Sequence, residues 1–432
     1  MRPAAILTRV ENCSYLALFF LCCLFYDYSK QPDHYQGVVP GFDFVGPLLI
    51  IAMAYAVVKL LAARQRRPLD RLEICALAVT LVTGIYAAFM YGVFPVPSYL
   101  ALADTDSYLW QGYLGETINI IKVPVGYYLC VYVFTQNLSL RSLMIVLTSA
   151  CLIHSVFGLH QLGYYTNTLP VNLLPIRVGA LNAGEFGLIF GRSSGLCASP
   201  FNFGTLLQIC AIGCFAMGRA AGGRAWTWIG GYLVVISLLT LSKSLFVGYI
   251  VIAVGYAFYM RRPVRFLLSV AALSSLVFAL LLPFGAIKLI ETRLSNEASI
   301  TSRVVNNTNA LRAISDSPLT GYGLGNRVVT DSTFTGLLLE GGLPRLAGYL
   351  AFFGLWLYRS FQMTRAAAAG IDREMAVACA LFMVSFFVQC AMVAEVERMP
   401  SLLAMLTLYL ALRVRIPLGR QPDPPIPAGS SA

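Results

Sequence analysis

The chain has 432 residues, 58% of them apolar and only 12% charged, about half the roughly 25% charged share of soluble domains. A water-soluble enzyme is thereby excluded. The net charge of +11 admits a nucleic acid partner, an anionic membrane, or basic loops gathered on one side of a bilayer, and the positions of the charges decide among them.

The first apolar stretch, 13–27, follows Arg2 and Arg9 and reads SYLALFFLCCLF. It has the layout of a signal peptide without a small-x-small cleavage site, and is read as an uncleaved anchor. Spans at 44–63 and 72–94 follow, separated by a basic connection holding Arg64, Arg66, Arg67 and Arg71. The segment 95–116 carries Asp104-Thr-Asp106 and the aromatics Tyr99, Tyr108, Trp110 and Tyr113. Two loop carboxylates can hold a divalent cation but more often cap a helix, and no metal is expected. The rings are read as interface anchors before sugar platforms. In the span 117–135, Lys122 lies about one turn inside and ahead of Pro124; an ionisable group there is a functional candidate that can also snorkel. The span 141–160 leads into a second long loop, 161–199, holding Arg177 and Arg192. Spans at 200–218, 226–241, 244–260 and 265–284 come next, with Lys243 at the tip between the second and third of these. The largest loop, 285–345, precedes the last spans at 346–361, 374–394 and 398–413. Residues 419–432 form a Pro-rich, disordered tail.

These stretches lack strand-like alternation, and lipid leaves only helices or closed barrels to satisfy backbone amides. The fold expected is an all-α polytopic membrane domain of about twelve spans over 1–418. With the N-terminus inside, cytoplasmic segments hold 18 basic and six acidic residues, and the opposite side 11 basic and 14 acidic; Lys59 and Lys122 lie inside spans. That bias places both termini in the cytoplasm and turns +11 into a topology signal, so no nucleic acid is expected. The loops 95–116, 161–199 and 285–345 then face outward, where a protein with this distribution of non-membrane residues works.

The eleven cysteines fall mostly within spans, Cys197 being the clearest exception, and are read as small packing residues rather than a disulfide framework. His34, His154 and His160 are scattered, with no ligand spacing for a metal or haem.

The loop 285–345 keeps six basic residues, Lys288, Arg293, Arg303, Arg312, Arg327 and Arg345. A solvated loop of mixed charge is the plain reading; guanidinium forks for phosphate are the functional one. Arg303 and Arg312 are nine residues apart, two and a half helical turns, so a regular helix would not present both on one face. The run Gly321-Tyr322-Gly323-Leu324-Gly325 after Ser317-Pro318 reads as a tight turn; no strand precedes it, which argues against a nucleotide loop.

The stretch RVVNNTNALRAISDSPLTGYGLGN (303–326), followed by TFTGLLLEGGLPRLAGYLAFFGLWLY (333–358), resembles the large periplasmic loop of bacterial O-antigen ligases and Wzy-type polysaccharide polymerases. That family shows an Arg, a helix, P-x-x-G-x-G-x-G, and a short helix ending in E-x-G-x-x-G before the next span. RSSGLCASPFNFG (192–204) is similar to the family's R-x-x-G and P-N segment, and Ser242-Lys243-Ser244 stands where the family has Ser-Arg. In length and layout the chain resembles the polymerases of xanthan-type exopolysaccharide clusters. Ligases carry a His-Asn pair where this chain has Asp331 and Ser332, which favours polymerase.

The resemblance implies a GT-C-like glycosyltransferase of the bacterial inner membrane, with its active face periplasmic and no cofactor. It would polymerise polyprenyl-pyrophosphate-linked oligosaccharides, with membrane lipid, chain-length regulators and export proteins as partners. Arg303 and Arg312 would stabilise the leaving pyrophosphate. Arg177, Arg192, Lys243, Lys122 and Glu340 would bind substrate. For the base that accepts the hydroxyl proton, Asp331 is the first choice among Glu185, Asp316, Asp331 and Glu340. Asp316-Ser-Pro and Asp331-Ser-Thr also read as helix or turn starts. The alternatives are a lipid-linked oligosaccharide flippase or other transporter, a ligase-type transferase, and a non-catalytic scaffold. Transporters usually carry internal repeats and midplane charges, and neither is evident.

Overall fold

The computed structural model describes residues 3–30, 35–36, 45–62, 70–90, 126, 128–135, 138–165, 176–177, 195–197, 199–240, 242–259, 275, 279, 297–323, 332–392, 401–416 and 418. The predicted span 265–284, the loop 95–116 and the tail 419–432 lie wholly or almost wholly outside them. The described helices are α1 (Pro3–Lys30), α2 (Val45–Ala62), α3 (Arg71–Phe89), α4 (Tyr128–Thr135), α5 (Leu140–Tyr165), α6 (Pro200–Ala221), α7 (Arg224–Leu238), α8 (Lys243–Tyr259), α9 (Glu297–Asp316), α10 (Thr333–Ala366), α11 (Ile371–Cys390) and α12 (Ser401–Arg415). A two-residue antiparallel pair, β1 (Tyr35–Gln36) with β2 (Ile176–Arg177), is the one strand pairing among the described residues.

Four of the helices are long and apolar enough to cross a membrane, over Thr8–Phe25, Arg71–Phe89, Leu140–Gln161 and Pro200–Ala221; Pro47–Ala62 and Lys243–Tyr259 are apolar but shorter. Apolar side chains also face outward, among them Ile50, Ile51, Val58 and Leu61 on α2, Val82 and Phe89 on α3, and Ile250 and Phe258 on α8. A water-facing surface rarely carries so many, and an all-helical chain with such faces is consistent with a helical membrane protein.

Local chemistry starts the helices where the sequence changes character. Asp70 caps α3, accepting from the Leu72 amide (3.2 Å), while its own amide donates to Glu73 Oε2 (3.0 Å), a capping box. Ser199 caps α6 by accepting from the Asn202 amide (3.2 Å), with Pro200 at the first helical position, and Gly222 ends the helix at φ 64°.

Helix α6 is buried along nearly its whole length and lies at the centre, packed against α5, α7, α11 and α12. Small residues let neighbours approach closely: a Cβ on Gly230 would meet Ala211 O at 3.1 Å and one on Gly248 would meet Gln389 Nε2 at 2.3 Å. Phe352, Phe353 and Trp356 of α10 stack with Phe386 of α11 and Tyr409 of α12 in the same core. All eleven cysteines are free thiols.

The bundle has two chemically different ends. At one, five carboxylates are paired with cations: Glu11 with Lys59, Asp70 with Arg359, Glu73 with Arg413 (3.1 Å), Asp372 with Arg415 (2.9 Å) and Glu374 with Arg219 (3.0 Å). These pairs tie the starts of α1, α3 and α11 to the ends of α2, α6, α10 and α12. At the other end lie the starts of α6 and α12, joined by Ser401 Oγ donating to Asn202 O (3.1 Å), and the C-terminal turns of α3 and α11.

Candidate functional site

The end remote from the ion pairs is built around a break in α10. The helix runs from Thr333 to Ala366, but Gly341 (φ −147°, ψ 22°) and Gly342 (φ 63°, ψ −159°) leave helical geometry and divide it into two halves. A broken helix exposes carbonyls at the end of its first half and amides at the start of its second. Both are met by the turn after α9. The amides of Tyr322 and Gly323 donate to Leu339 O (2.7 Å) and Glu340 O (2.9 Å), and the Leu343 amide donates to Pro318 O (2.9 Å).

Glycine is required where these backbones touch. A Cβ on Gly321 (φ 61°) would sit 2.7 Å from Gly341 N and Leu339 O, and one on Gly342 would sit 2.4 Å from Leu319 C and O. Around this contact, the Tyr322 hydroxyl donates to Ala313 O (3.0 Å), the Ser317 hydroxyl donates to Gly321 O (3.1 Å), and the Tyr86 hydroxyl of α3 donates to Leu319 O (3.2 Å). Ala310, Ala313, Tyr322 and Leu339 form a small separate core beneath. The glycine run and the Glu-Gly-Gly motif thus make one unit, and its amides are engaged by carbonyls.

Across the break, Glu340 ends the first half and Arg345 opens the second. Arg345 is 7% exposed. Its Nε stands 3.9 Å from Glu340 Oε2 and has no hydrogen-bond partner. Gly341 itself lies against α3: a Cβ there would meet Ala87 Cβ at 2.7 Å and Arg345 Cβ at 2.8 Å.

Arg303 and Arg312 both belong to α9, which is continuous from Glu297 to Asp316. Their backbone positions are therefore half a turn apart about the axis and about 13 Å apart along it. The chain does not fold back between them to present both on one face. Arg312 is exposed on this helix; the side chain of Arg303 lies outside the described residues. Arg177 belongs to β2, its backbone paired with Tyr35, which joins the loop after α5 to the segment after α1. Lys243 is exposed at the first position of α8, between Ser242 and Ser244, which are buried and hydrogen-bonded to each other (2.9 Å). Asp331, Arg192 and Lys122 fall outside the described residues, as do Asp104, Asp106 and Glu185. Ser332, next to Asp331, donates from Oγ to Cys390 O (3.3 Å), placing the start of α10 against the end of α11.

The segment after Arg192 is anchored by two side chains of α5. Gln161 bonds Gly195 twice, Nε2 to its carbonyl (2.8 Å) and Oε1 from its amide (3.0 Å). His154 accepts from the Leu196 amide at Nδ1 (3.2 Å), so Nε2 carries the proton and donates to Cys23 O (2.8 Å). In the sequence His154 is one of three scattered histidines, and no local pattern marks Gln161. Among the described residues no group of three or more His, Cys, Asp or Glu is placed to hold a metal.

No family model matches the chain, and no curated protein matches it.

Proposed function

We propose that this chain is a polytopic glycosyltransferase of the bacterial inner membrane. In this reading it has twelve spans, both termini in the cytoplasm, a GT-C-like architecture and a periplasmic site, and it polymerises polyprenyl-pyrophosphate-linked oligosaccharide repeat units. A sugar hydroxyl of one lipid-linked unit attacks the anomeric carbon of the chain carried on another. The bond to pyrophosphate breaks, polyprenyl pyrophosphate leaves, and the hydroxyl proton passes to a carboxylate, Asp331 in this reading. Arg303 and Arg312 stabilise the departing charge; Arg177, Arg192, Lys243, Lys122 and Glu340 contact the substrates.

The observation that carries the reading is the unit formed by Gly321–Gly323 and Leu339–Gly342. Two of the motifs on which the family resemblance rests are bonded to each other, next to α9 and its arginine positions. Two further features support it. Apart from Glu11 with Lys59, whose cation lies inside a span, each described ion pair joins residues that the charge pattern assigns to one side of the membrane, and the described candidate residues lie at the opposite end from the five-pair cluster. The arginine positions on opposite sides of α9 suit two separate phosphate groups, donor and acceptor, better than one.

Deleting the gene and analysing lipid-linked sugars tests this. Single repeat units accumulating on the outer leaflet are the expected result. Accumulation on the inner leaflet would identify a flippase, and unchanged high-molecular-weight polymer would refute a polymerase.

A further inference from the structure

We propose that Arg345 is a phosphate-contacting residue, whose guanidinium takes the pyrophosphate group of an isoprenoid lipid carrier and exchanges Glu340 for it. The starting point is a charge poorly served by its surroundings. Arg345 is 7% exposed, its Nε has no hydrogen-bond partner, and the Glu340 carboxylate at 3.9 Å is beyond hydrogen-bonding distance of it. A buried guanidinium ordinarily has its donors met.

Its place in the helix sharpens the point. Arg345 is in the first turn of the second half of α10, where the helix dipole favours an anion and disfavours a cation. Nearby, Pro344 has no amide hydrogen, and the Leu343 amide is bonded to Pro318 O. A cation held at this terminus is stabilised when an anion binds beside it, and helix N-termini are recurrent phosphate sites. The glycine turn is not the cradle, because the Gly321, Tyr322 and Gly323 amides are bonded to Ser317, Leu339 and Glu340 carbonyls. It builds the break that creates the terminus.

The depth selects the ligand. Gly341, with Arg345 Cβ beside it, abuts Ala87, in the last turn of the apolar helix α3, which ends at Phe89. A group meeting Arg345 there sits at the border of the apolar layer, the level of a lipid head group. A planar guanidinium pairs with phosphate through two parallel bonds, which an ammonium cannot reproduce. The identity of the carrier rests on the polymerase reading; the anion site does not.

The full chain in lipid nanodiscs, titrated with farnesyl pyrophosphate and separately with inorganic pyrophosphate, tests the assignment. Arg345→Gln should weaken farnesyl pyrophosphate at least about tenfold, as one lost charge-assisted hydrogen bond predicts. Arg345→Lys should recover part of the loss, and Glu340→Gln should tighten farnesyl pyrophosphate, which lacks the sugars Glu340 contacts in the proposed reaction, by removing the competing carboxylate. Unchanged affinity in Arg345→Gln overturns the proposal, and inorganic pyrophosphate binding as tightly as the farnesyl compound overturns the lipid carrier. If Arg345→Gln does not fold, Glu340→Gln decides alone, with unchanged or weaker binding counting against. Arg345-dependent binding together with normal polymer in the deletion strain would refute the polymerase reading and leave the site. Loss of polymer with binding indifferent to Arg345 would do the reverse.

Discussion

The amide of Gly323 donates to the carbonyl of Glu340 over 2.9 Å, closing the first half of α10 with a turn that precedes it in the chain. A helix interrupted at the edge of an apolar layer must find partners for the carbonyls it frees. Here those partners come from the glycine turn, while the second half begins afresh at Leu343. The geometry of Glu340 and Arg345 across the break therefore depends on residues some twenty positions earlier.

Gly342→Ala tests that dependence. The new Cβ would lie 2.4 Å from Leu319 C and O, at a residue with φ 63°. With ψ −159° this backbone is essentially reserved for glycine and costs an L-residue about 1–3 kcal/mol, and the collision adds to it. Gly354→Ala is the control, because nothing lies within 4 Å of its added Cβ and alanine is favoured over glycine in a helix by about 1 kcal/mol. Melting of the detergent-solubilised protein should fall for the first and hold or rise for the second. Equal melting of the two would remove the steric role assigned to the turn.

The ion pairs at the opposite end should differ in strength by burial. Glu73 is 3% exposed beside Arg413, whereas Asp372 and Arg415 are 31% and 41% exposed in their side chains. Removing one partner of a buried pair typically costs about 3–5 kcal/mol, and an exposed pair contributes about 0–1 kcal/mol. Arg413→Ala should therefore lower thermal stability strongly, and Arg415→Ala barely. In Glu73→Gln the Arg413→Ala penalty should shrink, because the carboxylate left unpaired is gone; a double-mutant cycle reads this directly.

Much of this arrangement was legible in the sequence. Apolar length marked α2, α3, α5 and α6, the last expected from residue 200, where it starts. Helix α10 was only half legible. Its span was expected from 346, and the family resemblance implied a short helix before Glu-Gly-Gly, but nothing local indicated that the two halves would run on through a single break. Pairings such as Asp70 with Arg359 join residues 289 positions apart and depend on how helices pack. Arg345 is one of six basic residues in a loop by sequence alone, because its burial follows from the break in α10 and the packing of Gly341 against Ala87 on another helix.

On the polymerase reading, Arg303→Ala and Arg312→Ala should each abolish high-molecular-weight polymer while the protein stays in the membrane fraction. Opposite positions on α9 mean that neither arginine can stand in for the other. Normal polymer from both variants would end the phosphate role given to them. Asp331→Asn should stop chain extension as well; full-length polymer from that variant would transfer the search for the base to Glu340 or Asp316.

Gln161→Ala should act on the segment that follows Arg192 without touching any charge. Gln161 is buried and supplies both partners of Gly195, so its loss leaves a buried amide and a buried carbonyl unmet, at about 1–3 kcal/mol each. His154 bonds the neighbouring Leu196 amide, so the segment should loosen rather than detach, and the doubly substituted Gln161→Ala/His154→Phe protein should release it. Hydrogen exchange over 192–199 measures the effect. The expected order is wild type slowest, the single variant faster and the double variant fastest, with the α6 interior protected in all three. Exchange of the segment unaffected by Gln161→Ala would show that the anchor lies elsewhere. If Arg192 binds substrate, polymer yield should fall in the same order, because an arginine on a loosened segment loses the preorganisation that makes it useful in the transition state.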